Sequence, residues 1–275
     1  MSKKVIVAAA AAGLIVLAGC GGGGAPAVVE GGPAKATTQM PATPKPTPKP
    51  AKTVQVEGAK QYVEAVASMD PEQLEAARKF TVPGSVADAY LLEQSHQATA
   101  SLDGGSDATG LGNVTKKDDG YQFCTYDDNG DDVCFLYAGF KQQGGKLTDL
   151  SINSDPVGPR LTMGNGKTVT SHDVKFELLS AFKSSQGYLI VSVRVTTGDR
   201  KVDPYQYTAT YRAPSGAQRG ASTGGGPDSI APKSHAVVTM WFRGVDVGGA
   251  VTLSFEPEND DFNTYDVKIP VGAVG

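Results

Sequence analysis

Few side chains in this sequence are equipped for chemistry. There are three cysteines and three histidines in 275 residues. Cys20 stands alone behind an apolar run. Cys124 and Cys134 lie in YQFCTYDDNGDDVCFLY, where apolar and polar residues alternate with a period of two. That stretch admits two hairpins. A two-residue Asn129-Gly130 turn sets Thr125 opposite Cys134 and sends the two sulfurs to opposite faces. A three-residue loop, Asp128-Asn129-Gly130, puts Gly130 in the left-handed position of a G1 bulge and sets Cys124 opposite Cys134. The cysteines then form a non-hydrogen-bonded pair with Cα atoms about 4.5 Å apart, inside the disulfide range. The same register sets Phe123 against Phe135 and Tyr121 against Tyr137. Aromatic pairing therefore selects the three-residue loop, and with it a Cys124–Cys134 bridge.

The other polar clusters carry less. His96, His172 and His235 are far apart in sequence and have no partners at ligand spacing, so they read as core or solvated side chains. The run from Asp127 to Asp132 gathers oxygens of the kind a hard cation wants. With Gly130 at the sixth loop position, however, Thr125 and Leu136 fall where an EF-hand needs acids. These aspartates read as turn formers on a soluble hairpin tip. No HExxH or Walker loop is present. Tyr62, Tyr90 and Glu93 recur at helical spacing that packing explains, and they would face a pocket if the middle of the chain encloses one. No catalytic, cofactor or metal site is expected.

Cys20 has a different context. Met1 to Lys4 supply two lysines, and Val5 to Leu17 follow without a polar side chain. This is the pattern of an export signal. A helix over that run rises about 20 Å against a hydrocarbon core of roughly 30 Å, too short for a lasting span. The run ends in Leu17-Ala18-Gly19-Cys20, which resembles the lipobox of bacterial lipoproteins. The resemblance covers residues 1–20. It implies removal of residues 1–19 and acylation of the Cys20 sulfur, which ties the chain to the extracytoplasmic face of a cell membrane. Several acyl chains, at about 0.8 kcal/mol for each buried CH₂, make such attachment lasting.

Residues 20–52 contain GGGGAPA and TTQMPATPKPTPKPAK, a linker composition with nothing apolar to bury. Charge is unevenly spread. Residues 1–52 carry six basic side chains and one acid, residues 53–156 seven and seventeen, and residues 157–275 twelve and eleven. The middle segment is thus at −10, the opposite of what nucleic acid rewards.

Beyond the linker the period first fits helices. Tyr62, Val63, Val66 and Met69 are three and four apart. Asp70-Pro71 is an N-cap with proline at N1, and Ser85 with Asp88 forms a capping box. After a glycine-rich break at Gly104 to Gly112 come the cysteine hairpin and a strand, KLTDLSI. Helices followed by a meander predict an α+β domain over 53–156, with helices packed on an antiparallel sheet. That order resembles the NTF2-like, cystatin-like cone, which implies an enclosed pocket.

From Val157 to the end, stretches such as DVKFELLSAFK, GYLIVSVRVTT, HAVVTMWFR and GAVTLSFEP alternate apolar and polar residues. About seven strands in some 115 residues predict an all-β sandwich over 157–275. LIVSVRVTT, YQYTATYRAPSGAQ, IAPKS, AVVTMWFR and VTLSFEP resemble the immunoglobulin-like domains of exported bacterial lipoproteins and immunogenic antigens, a group of unknown function. Lys233 stands where that group commonly has glycine. GASTGGGPDS reads as a connector without structure of its own.

The expectation is a lipid-anchored, non-enzymatic surface protein that binds an extracellular protein or a small apolar ligand and no nucleic acid. An enzyme or carrier using a pocket within residues 53–156 is the alternative, and a structural envelope protein the third possibility.

Overall fold

The computed structural model describes residues 56–106, 110–126, 130–259 and 263–272. Cys20, the segment 1–19 and the linker 20–52 lie outside these residues, as do Asp127, Asp128 and Asn129.

Three α-helices open the described chain: α1 (Ala59–Ser68), α2 (Pro71–Ala77) and α3 (Val86–Asp103). On α1 the apolar residues at three- and four-residue spacing, Tyr62, Val63 and Val66, are buried, and Met69 closes the helix at φ 49°. Asp70 caps α2, accepting from the backbone N–H of Glu72, with Pro71 at N1. Ser85 caps α3 by accepting from the N–H of Asp88. The Asp88 carboxylate turns instead to Arg78, at 2.9 Å from Nε, to the Thr81 hydroxyl and to the Gly84 N–H. Burial alone would raise the Asp88 pKa. The guanidinium and the two other donors outweigh it and hold this carboxyl below its ordinary range.

The helices lie on an antiparallel meander of β1 (Thr115–Lys116), β2 (Gly120–Tyr126), β3 (Asp132–Gln143), β4 (Lys146–Ile152) and β5 (Asp155–Pro156). Cys124 pairs with Cys134, Phe123 with Phe135 and Tyr121 with Tyr137, and Gly130 has φ 82°. The cysteines form a disulfide with Cα atoms 4.0 Å apart. The core beneath joins Tyr62, Leu74 and Leu91 of the helices to Phe123, Leu147 and Leu150 of the sheet.

The rest is β-structure. One sheet orders β11 (Gln218–Gly220), β10 (Val202–Arg212), β14 (Gly249–Pro257) and β15 (Tyr265–Val271). The other orders β12 (Thr223–Gly225), β13 (His235–Arg243), β9 (Tyr188–Thr196), β8 (Val174–Lys183) and β6 (Leu161–Met163), with β7 (Thr168–Ser171) also on β8. Leu189, Val191, Val193 and Val195 of β9 and Val251, Leu253 and Phe255 of β14 are fully buried between the sheets. Strict alternation is what places them there. The described residues are thus mostly antiparallel sheet with a few helices, and the two C-terminal sheets make a sandwich.

Two local features correct or refine the expectation. GASTGGGPDS is no bare connector, because it supplies β12. A Cβ on Gly226 would lie 2.9 Å from the carbonyl oxygen of Val237, so the glycines allow this edge to lie flat on β13. Lys233 adopts φ 54°, a left-handed backbone that glycine adopts without strain.

Helix α3 has two buried sides. Tyr90, Leu91 and Ala98 pack into the core of the meander, while Ala100 packs with Leu179 and Val237 on the outer face of the sandwich. Its last turn is pinned there: Asp103 Oδ2 accepts from the Val237 N–H at 3.0 Å. Among the described residues no helix is long and apolar enough to cross a membrane.

Candidate functional site

A cavity of about 320 Å³ opens where the meander, α3 and the sandwich meet. Strands β2 and β3 contribute Phe123, Tyr126, Phe135 and Tyr137. Phe123, Phe135 and Tyr137 alternate with the cysteines, so the disulfide fixes their wall from its opposite face. Helix α3 contributes Tyr90, Gln94 and Gln97, one above another at four- and three-residue spacing. The sandwich closes the site with Phe182, Ile190, Trp241 and the β8–β9 turn. That turn holds Ser184, Ser185 and Gln186 at the rim. It ends on Gly187, whose φ of 82° suits glycine.

The aromatic groups are fixed by one another. The Phe123 and Tyr137 rings stack at 5.6 Å with 21° between their planes, and Tyr90 meets Phe182 edge-on at 5.2 Å. The Tyr90 and Tyr137 hydroxyls share a hydrogen bond of 3.1 Å, so neither is left unsatisfied by burial. Burial raises the pKa of both phenols, which therefore stay neutral. None of the described lining residues is charged.

Behind the α3 wall lies a buried polar layer. Glu93 is fully buried. Its Oε1 accepts from Gln97 Nε2 at 2.9 Å, and its Oε2, although Ser180 lies nearby, has no partner within hydrogen-bond distance among the described residues. Burial pushes the Glu93 carboxyl up to about 8. One turn on, His96 Nδ1 lies 2.8 Å from Ser180 Oγ, and burial lowers its pKa to about 4, with Arg194 adding to the effect.

Of the residues singled out by sequence, Tyr90 lines the cavity. Glu93 sits one layer behind it. Tyr62 is fully buried elsewhere, donating to the Ala87 carbonyl at 2.9 Å. His172 lies in the β7–β8 turn, stacked on Tyr265 at 3.6 Å, and His235 is exposed at the start of β13. Among the described residues no group of three metal-ligating side chains gathers.

Two serine patterns in the sequence meet no catalytic context. Ser222, in Gly220-Ala221-Ser222-Thr223-Gly224, lies between two short strands and donates to the Trp241 carbonyl at 3.0 Å. A nucleophile elbow needs a strand-to-helix turn there. Ser180 and Lys183 stand three apart on β8, which sends them to opposite faces, and Lys183 pairs with Asp246.

The cavity is not confined to residues 53–156, where a cone would have enclosed it. Sequence reasoning missed the contributions of Phe182, Ile190, Gln186 and Trp241, because nothing local marks a strand's outer face as the wall of a distant site. The period-two pattern of β9 does leave Ile190 on the face away from the sandwich core, which was the available signal.

No protein-family model matches the chain, and no curated protein matches it in sequence. Among solved structures it is similar to the crystal structure of a functionally unknown protein from Listeria monocytogenes EGD-e. The identity is 8% and the TM-score 0.27, with 42% of this chain and 88% of that one covered.

Proposed function

We propose that this chain is a lipid-anchored protein of the extracytoplasmic face of a cell membrane, non-enzymatic, that binds a small apolar ligand. It is built as an α+β domain of the NTF2-like kind followed by an immunoglobulin-like sandwich. The observation that carries the binding role is the uncharged, ring-lined cavity where the two parts meet. Sites for small molecules favour such junctions, and their volumes run from about 300 to 1,000 Å³. The disulfide of the β2–β3 hairpin is of a type that persists in oxidising compartments, which supports an exported location.

The geometry gives an enzyme less support. An acid, a hydroxyl and an imidazole do come together in Glu93, Ser180 and His96. Both Glu93 and Ser180 are fully buried, however, so neither oxygen can meet a substrate without parting α3 from the sheet. A purely structural envelope role gives no reason for an apolar, ring-lined cavity at this junction.

Trp241 is the single tryptophan of the chain and lines the cavity, which makes the test direct. Titration with the neutral dye N-phenyl-1-naphthylamine is expected to give saturable 1:1 energy transfer from Trp241. A strictly linear, non-saturating response would defeat the binding role.

A further inference from the structure

Taking the cavity to be a ligand site, its polar groups narrow the chemistry of what it receives. We infer that the ligand is a flat, uncharged ring system bearing an amide-like edge, and that the Gln94 carboxamide reads that edge.

Gln94 lines the cavity and is only 8% exposed; no hydrogen bond from a described residue holds its carboxamide, whose atoms are open to the cavity and not sealed in the core. A carboxamide that opens onto a ring-lined cavity takes its partners there, from water or from a ligand, and a ligand that displaces the water without replacing its hydrogen bonds loses affinity. Its neighbour Gln97 is already committed, donating to Glu93. Gln94 therefore presents a donor and an acceptor side by side, the complement of a lactam or carboxamide.

The walls specify the rest. Tyr90, Phe123, Phe135, Tyr137, Phe182 and Trp241 offer ring faces and edges, which favour another π-system over a flexible alkyl chain. No described lining residue carries a charge, and the Arg160 guanidinium beside Phe182 already donates to the carbonyls of Asp155, Pro156 and Lys183, so a carboxylate or phosphate would gain little from it. At about 320 Å³ the space suits a two-ring molecule better than a long-chain lipid.

The test uses the mature chain with Cys20→Ser, so that no detergent competes for the probes. N-phenyl-1-naphthylamine is bound and then displaced by quinolin-2-one, naphthalene or dodecanoate. Quinolin-2-one, with its lactam edge, is expected to displace the dye at a concentration about tenfold lower than naphthalene, with dodecanoate weaker than either. In Gln94→Leu and Gln94→Met, whose intact fold is read from a wild-type circular-dichroism spectrum and urea midpoint, the tenfold preference should vanish. Equal or better displacement by naphthalene or dodecanoate overturns the inference, as does an unchanged preference in both variants. A wild-type chain that binds no dye overturns the binding role itself, and this inference falls with it.

Discussion

Gln97 Nε2 donates to Glu93 Oε1 at 2.9 Å, so a side chain in the cavity wall is held by a carboxyl that water does not reach. Helix α3 thereby couples the site to a titrating group that no ligand touches. The groups facing that carboxyl are Gln97 on the same helix and Ser180 from the sheet, whose hydroxyl also meets His96.

The first prediction follows from the sign of that coupling. The folded pKa of Glu93 is raised, to about 8, over an unfolded value near 4.3. Its contribution to stability is complete below about pH 4.3 and is lost as pH rises through about 8. Glu93→Gln should remove this alkaline limb. The gain at pH 8 is several kcal/mol, at about 1.4 kcal/mol for each pKa unit. Urea unfolding from pH 5 to 9 measures it, and an unchanged slope in the variant would rule the assignment out. His96 acts oppositely: its pKa is lowered to about 4, so stability falls as pH drops from about 6.5 through that value.

Asp88 offers a second test. Its folded pKa is depressed, so its contribution is present above about pH 4 and lost as the carboxyl protonates on acidification. Asp88→Ala leaves the Arg78 guanidinium without its buried partner and should cost about 3 kcal/mol at pH 7, read from the urea midpoint. A loss below about 1 kcal/mol would show that solvent replaces the pair.

The disulfide supplies the third. Cys124→Ser together with Cys134→Ser should lower stability by roughly 2–3 kcal/mol, as expected for a short closed loop. Dye affinity should fall as well, since Phe123 and Phe135 flank the bridge. In the oxidised, unfolded wild-type chain with acylated Cys20, a thiol reagent should find nothing to label. Two labelled thiols would contradict the bridge.

The fourth concerns the anchor. Cys20→Ser is expected to move the chain from the membrane fraction to the soluble exported fraction. Retention as firm as in the wild type would refute acylation at this position.

Much of this architecture was legible beforehand. A three-residue loop with Gly130 left-handed, together with the paired aromatics, determined the hairpin register, and Leu189, Val191, Val193 and Val195 marked a sandwich face. Less legible was α3. Glu93, Gln94, His96 and Gln97 give it a polar look that hides how thoroughly it is covered, yet Glu93 and Gln94 are buried and the imidazole of His96 is largely covered. A helix packed on two sides has no wet face for such residues, and only the tertiary arrangement reveals it. β12 was hidden for a related reason: its glycines serve close approach, not freedom of the chain.

Since α3 is a party wall, the two halves are poor candidates for independent inheritance. Cutting the gene after Pro156 would strip the sandwich of the helix over Ser180 and Val237, baring a sticky sheet. The same cut would leave the meander without Phe182 beneath Tyr90. Recombination that shuffles either half into another protein must therefore bring along a replacement lining, and the whole length from Ala59 to Val271 should travel as one heritable piece.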